Sequence, residues 1–164
     1  MHKRSGIKNY NKDLLESFNS NNVQLVTEAL KNNNNIEKSQ INNYFFLSVI
    51  NNSIDMANVY LQYGAEIDFT DMSMQTALIK SIISKNFIMT EFLISKNADT
   101  NIVDKYHKTA LIYACNTLPE SINLLIKHNA DINFCDNKNK KAIDYLKENG
   151  DFDKKNEIIK LLSN

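Results

Sequence analysis

Asp104-Lys105-Tyr106-His107-Lys108-Thr109-Ala110-Leu111-Ile112-Tyr113-Ala114-Cys115 and, after a break, Ile122-Asn123-Leu124-Leu125-Ile126-Lys127-His128-Asn129-Ala130-Asp131-Ile132-Asn133 decide how the chain folds. The order is a turn, a short helix, a loop, a second helix and a second turn. The same unit stands upstream: Thr76-Ala77-Leu78-Ile79 precedes Thr109-Ala110-Leu111-Ile112 by 33 residues, and Asn97-Ala98-Asp99 precedes Asn129-Ala130-Asp131 by 32. A repeat of that spacing means stacked supersecondary units, each touching only its neighbours, rather than one compact core.

The repeated residues resemble the ankyrin repeat, whose pattern includes Thr-Pro-Leu-His-x-Ala and, later, Leu-Leu-x-x-Gly-Ala-Asp-x-Asn. Residues 109–114 follow the first part with Ala for Pro and Ile for His. Residues 124–133 follow the second with Asn for Gly. The likeness holds in register over roughly 130 residues, which chance similarity does not do. It implies an all-α fold: a solenoid of about five helix-turn-helix units with short β-hairpin-like turns. The units are placed at approximately 11–36, 37–69, 70–102, 103–134 and 135–164, behind a polar tail at 1–10. The resemblance also implies a protein-binding scaffold without chemistry of its own, and it names no partner.

Each unit is read from its apolar pattern. Leu14, Leu15, Phe18, Val23, Leu25, Val26, Ala29 and Leu30 make the first helix pair; Tyr44, Phe45, Leu47, Val49, Ile50, Met56, Val59, Tyr60 and Leu61 make the second. Leu78, Ile82, Ile83, Ile88, Met89, Phe92, Leu93 and Ile94 make the third. In the fourth, Pro119 stands where a first helical turn tolerates it, and the chain is one residue shorter than the pattern. The fifth departs most, with Lys141-Ala142-Ile143 at the Thr-Ala-Leu position, a longer loop at Asn149-Gly150-Asp151-Phe152-Asp153 and a closing helix over Ile158, Ile159, Leu161 and Leu162. The first and last pairs are expected to cap the array.

Three turns of one design begin at Asp71, Asp104 and Asp136. Three residues on, where the family has a Gly at positive φ, stand Met74, His107 and Asn139. Asn and His tolerate that conformation better than Met, so the turn at Met74 is the one whose register and geometry the pattern fixes least. Asn33, Gly64, Asn97 and Asn129 occupy the helix-end position of the left-handed cap, for which Asn is the second choice after Gly.

Nineteen Lys and Arg balance nineteen Asp and Glu over 164 residues. That removes the wide basic field of nucleic-acid binders and membrane-surface proteins. Abundant Asn, Lys and Ile read as the coding bias of an AT-rich genome. Met1-His2-Lys3-Arg4 is followed by polar residues, so no signal peptide is expected. The longest apolar run, at Tyr44-Phe45-Phe46-Leu47, is far short of the ~18 residues a membrane helix needs. Cys115 and Cys135 form neither a disulfide framework nor a Cys-x-x-Cys motif, which fits a reducing compartment and a cytoplasmic protein.

Sites for chemistry are weak. His107, His128, Cys115 and Cys135 match no zinc spacing, and Cys115 takes the place of a small buried Ala. A Cys–His nucleophilic pair lacks an orienting third group. The three glycines, Gly6, Gly64 and Gly150, form no phosphate loop. Asp131 and Asp136 read as a helix end and a turn former rather than a catalytic pair. Tyr44, Phe45, Phe46, Phe92 and Phe134 read as packing residues rather than stacking platforms. Lys138, Lys140 and Lys141 are the densest basic cluster; they read as a solvated turn beside Asp136 and Asp144, the alternative being contact with a phosphate or an acidic partner. No catalytic residue, metal ligand or cofactor is expected.

The resemblance places a partner-binding surface on the turn tips and the exposed side of each first helix. The tips are Met72, Ser73 and Gln75; Lys105, Tyr106 and Lys108; and Asn137, Lys138 and Lys140. Ile83, Ser84, Asn116 and Thr117 continue it along the helices. Tyr106 is the expected anchor, since Tyr brings large area with few rotatable bonds. The expected function is a monomeric scaffold for a protein partner, with neither nucleic acid nor membrane. Two alternatives are a host-interaction effector of an intracellular bacterium or virus, delivered into the host cell, and an enzyme or metal-dependent module on a helical scaffold.

Overall fold

The computed structural model describes residues 10–32, 36–149 and 155–162. These form α1 (Tyr10–Asn19), α2 (Val23–Asn32), α3 (Lys38–Ile50), α4 (Ile54–Gln62), α5 (Ala77–Ile83), α6 (Phe87–Ser95), α7 (Ala110–Thr117), α8 (Ile122–Lys127), α9 (Ala142–Asn149) and α10 (Lys155–Leu162). A 3-10 turn, Pro119–Ser121, leads into α8. The expected cap at Asn33 and the loop from Gly150 to Asp153 lie outside the described residues.

Consecutive helices pair in hairpins, and the first helices of successive pairs, α3, α5, α7 and α9, pack side by side. The repeated Thr-Ala-Leu-Ile explains why. Thr76 and Thr109 are N-caps whose hydroxyls accept from the N–H of Ile79 and Ile112, satisfying one of the donors a helix start leaves open. The Ala, Leu and Ile that follow are buried in both copies. The small Ala permits close helix approach, and the larger pair fills the space between units. Where Lys141 replaces the Thr, Asp144 caps in the reverse sense: its Oδ2 accepts from the Lys141 N–H at 2.9 Å. One apolar cluster runs from Val26 to Leu162 through every pair, as stacked units require.

Not every apolar residue of the pattern is inside. Leu25, Leu47, Ile50, Leu161 and, at 66 % exposure, Ile88 face solvent. In a solenoid, only the faces turned toward the partner helix and the neighbouring units are covered, so a helix can carry an apolar residue on its open side. Tyr60 is fully buried and stacked on Tyr44 at 5.6 Å, yet its hydroxyl has no hydrogen-bond partner among the described residues.

Helix ends close through left-handed residues. Asn97 (φ 64°) and Asn129 (φ 65°) take the cap conformation alongside Gly64 (φ 90°). After Asn97 and Asn129, the N–H of Ala98 returns to Leu93 O and that of Ala130 to Leu125 O, which satisfies carbonyls otherwise left open. A second left-handed series, Asn21, Asn52 and Lys85, joins first to second helices. In the fourth unit this residue is missing: Leu118 is extended (φ −144°) and buried, and Pro119 opens the 3-10 turn at its N1 position. The missing residue is therefore the left-handed linker itself.

Candidate functional site

The three Asp turns share one hydrogen-bond plan. Asp71 Oδ1 accepts from the N–H of Ser73 (2.8 Å) and Gln75 (3.0 Å). Asp104 Oδ1 accepts from Tyr106 (2.8 Å) and Lys108 (3.0 Å), and Asp136 Oδ1 from Lys138 (2.9 Å) and Lys140 (3.0 Å). Each Asp N–H donates to the carbonyl four residues on, and each Asp carbonyl accepts from the residue three on. That third residue is left-handed in all three turns: Met74 (φ 59°), His107 (φ 55°) and Asn139 (φ 58°). The turn at Met74 keeps the geometry of the other two, because the Asp carboxylate and the backbone pair fix the turn whatever side chain stands there.

The second carboxylate oxygen is held from the following helix, nine residues along. Lys80 Nζ lies 2.8 Å from Asp71 Oδ2; Tyr113 donates to Asp104 Oδ2 at 2.6 Å; Tyr145 donates to Asp136 Oδ2 at 2.5 Å. Gln75 Nε2 reaches both Asp104 Oδ2 and the Tyr113 hydroxyl at 3.4 Å. Desolvation alone would raise the three carboxyls, but these side-chain and backbone donors outweigh it and hold all three below the usual Asp range. The reciprocal effect, burial plus donation to a carboxylate, raises Tyr113 and pushes Tyr145 up to about 12. The tyrosines remain neutral donors, and the turns are rigid platforms rather than acid–base groups.

The tips are joined to one another. Lys105 N–H donates to Ser73 O (3.1 Å), and Asn137 N–H to Tyr106 O (3.2 Å). Three turns thus form one continuous ribbon beside the first helices. Tyr106, Lys108, Asn137 and Lys138 share a cleft of about 310 Å³ with Tyr113 and Asp136. Met72 is fully exposed, Tyr106 is 52 % exposed, and the Lys105 ammonium lies 5.0 Å from the Tyr106 ring centroid.

The other expected surface residues are distributed differently. Lys140 does not reach the cleft; it pairs with Glu148 at 2.5 Å and lies over the Tyr145 ring. Thr117 is half-buried and donates to Ile82 O and Tyr113 O, so its hydroxyl serves the contact between α5 and α7. Ile83 and Asn116 are exposed. Ser84 lines a separate depression at the far end of the helices, with Ile50, Asn52, Lys85, Phe87 and Ile88. Sequence reasoning missed Tyr113 and Asp136 as cleft residues. The signal for Tyr113 was available as an aromatic nine residues after a turn Asp, repeated at Tyr145.

Desolvation pushes the buried Cys115 thiol up to about 12, so it stays protonated. Asp131 Oδ1 accepts from the Asn133 N–H at 2.8 Å, ordering its own turn. Among the described residues no three His, Cys, Asp or Glu converge as metal ligands, and no helix is long and apolar enough to cross a membrane.

The family model for ankyrin repeats matches residues 45–136, in three copies. Comparison with curated proteins gives no match.

Proposed function

The chain belongs to the ankyrin-repeat family, and from that premise we propose that it is a protein-interaction scaffold that binds its partner through the ribbon of turn tips and the adjoining first helices. Ankyrin repeats in general mediate protein–protein interaction. One observation carries the assignment of the surface: the tip-to-tip hydrogen bonds Lys105 N–H to Ser73 O and Asn137 N–H to Tyr106 O. They join the backbones of three turns into one edge, along which the large side chains of Met72 and Tyr106 are exposed. Preorganised exposed aromatics lose little entropy on binding, which is what a hot spot needs. The proposal assigns no catalytic step. It places the protein as a monomer in a reducing compartment, in keeping with two free cysteines.

The test is a partner recovered by crosslinked pulldown from the native cell and, in parallel, from a host-cell lysate, followed by calorimetry. Tyr106→Ala should weaken binding by more than ~1 kcal/mol and leave the melting temperature unchanged. Full affinity in Tyr106→Ala, with loss on changing Asn123 or Lys127 of the second-helix side, would move the site to the opposite face.

A further inference from the structure

We infer that the segment bound on this edge is an acidic extended peptide of the partner, with carboxylates facing Lys105, Lys108 and Lys138 and an apolar side chain over Met72 and Met74. This inference rests on the reading of the turn edge as the binding face.

The chain as a whole is neutral, but its acids and bases are not evenly placed at the tips. Asp104 and Asp136 are buried, and both oxygens of each carboxylate are taken by N–H groups and a tyrosine hydroxyl. Both carboxylates stay ionised but lie beneath the turn surface, whereas Lys105 and Lys138 are exposed and Lys108 is half-buried beside the Asp136 charge. The ion pairs among the described residues are Lys38–Glu66, Lys80–Asp71 and Lys140–Glu148. Lys105, Lys108 and Lys138 have none. Two of the three ammoniums are parked over rings instead: Lys105 over Tyr106, and Lys108 at 4.4 Å from the Tyr145 centroid and 5.6 Å from that of Tyr113. A ring quadrupole holds a cation without neutralising it, so the charge that these two adjacent tips present to solvent is cationic, over the buried carboxylates of Asp104 and Asp136.

The shape of the edge suits an extended segment. Lys108 and Lys138 flank the 310 Å³ cleft, whose walls are Tyr106, Tyr113, Asn137 and the Asp136 carboxylate already held by Tyr145, room for one side chain of a strand laid across the tips. The neighbouring tip carries no net charge, because Asp71 is paired with Lys80; it offers the thioethers of Met72 and Met74, both exposed. Methionine adapts to an irregular apolar partner. The edge is thus apolar at one end and cationic at the other. Nucleic acid fits it less well than peptide: the rings that would stack on bases already carry lysines, and no wider basic field extends from the tips.

The probe is a random dodecapeptide library selected against the immobilised full chain. The enriched peptides should carry an excess of Asp and Glu together with an apolar residue. For a synthetic copy of the best binder, Kd should rise about tenfold in the Lys105→Gln/Lys108→Gln/Lys138→Gln variant, with an unchanged melting temperature, and should rise with added salt. Lys108→Glu should lose the acidic peptide and regain affinity for a copy with its Glu residues changed to Lys. Peptides that lose affinity for Tyr106→Ala but show no acidic excess would overturn the inference and leave the binding face standing. Peptides indifferent to Tyr106→Ala and to the lysine variant would overturn both. A selection that enriches nothing, or a single-stranded RNA twelve-mer that binds more tightly than the acidic peptide, would also overturn the inference.

Discussion

The turns at 71–75 and 104–108 share a backbone and share almost nothing that faces solvent. In both, one Asp oxygen takes two N–H groups at 2.8 and 3.0 Å and the third residue on is left-handed. Yet one tip shows Met72 and Met74, and the other Lys105, Tyr106 and His107. The comparison teaches a division of labour. The Asp and its hydrogen bonds determine the backbone, which frees the tip residues to be chosen for what they meet.

The sharpest way to break the comparison is to remove the Asp. Asp104 is wholly buried and held by a neutral tyrosine; Asp71 is partly exposed and held by Lys80. Asp104→Ala leaves two N–H groups and the Tyr113 hydroxyl without an acceptor in a dry site and should cost about 3 kcal/mol in urea unfolding. Asp71→Ala, more open to water, should cost about half as much. Equal losses would mean that the second carboxylate oxygen contributes little.

Acid tests the same carboxylates together. Asp71, Asp104 and Asp136 are held below the usual range in the folded state. Their contribution is therefore complete above the unfolded value of about 3.9 and is lost as pH falls through the folded values. The denaturation midpoint should be flat above about pH 5 and fall steeply below about pH 4. The fall should be shallower in Asp104→Asn. An unchanged slope in that variant would assign the acid sensitivity to other groups.

Next in size is the residue at positive φ. Replacing Met74 with Gly relieves the left-handed conformation and should stabilise by up to ~1 kcal/mol. His107→Gly should gain only a few tenths (~0.3 kcal/mol), since His tolerates that region better. A Met74→Gly variant no more stable than the parent would show that the exposed thioether packs usefully on its own turn.

The smallest effect lies just upstream, where Asp68 and Asn101 do the same work. Each accepts from the N–H of a residue in the next unit, Asp99 at 3.0 Å and Asp131 at 2.8 Å. Desolvation, with the added charge of Asp99, raises Asp68. A raised carboxyl penalises the folded state at neutral pH, and that penalty disappears as pH falls below its unfolded value. Asp68→Asn should therefore stabilise by less than ~1 kcal/mol at pH 7 and have no effect near pH 3. Destabilisation at pH 7 would show that the charge is needed.

The fold was legible because its determinants are local and repeated. Thr76 and Thr109 cap helices, Asp71, Asp104 and Asp136 form turns, and Asn97 and Asn129 close helix ends; each acts within a few residues of itself. The candidate surface was less legible because it depends on partners farther away. Lys140 belongs by position to a tip, but Glu148, one helix along, draws it aside. Tyr113 stands among the apolar residues of α7, and its place in the site depends on a hydroxyl that reaches back nine residues to Asp104. Leu47 and Ile50 fit the apolar pattern of α3, and only the arrangement of neighbouring units shows that they face outward.

The missing linker residue at Leu118 has a consequence for assembly. A perfectly periodic array resembles a ladder with identical rungs: a growing end can dock one rung too far and still find matching contacts. The extended Leu118 and the Pro119 turn act as a stacking fault written into the chain, since one hairpin has a different elbow from those joined by Asn52 and Lys85. A slipped alignment would set this elbow against one of the others and lose the matching of loop to loop. The irregular unit thus works as an index mark, giving each pair one address in the stack.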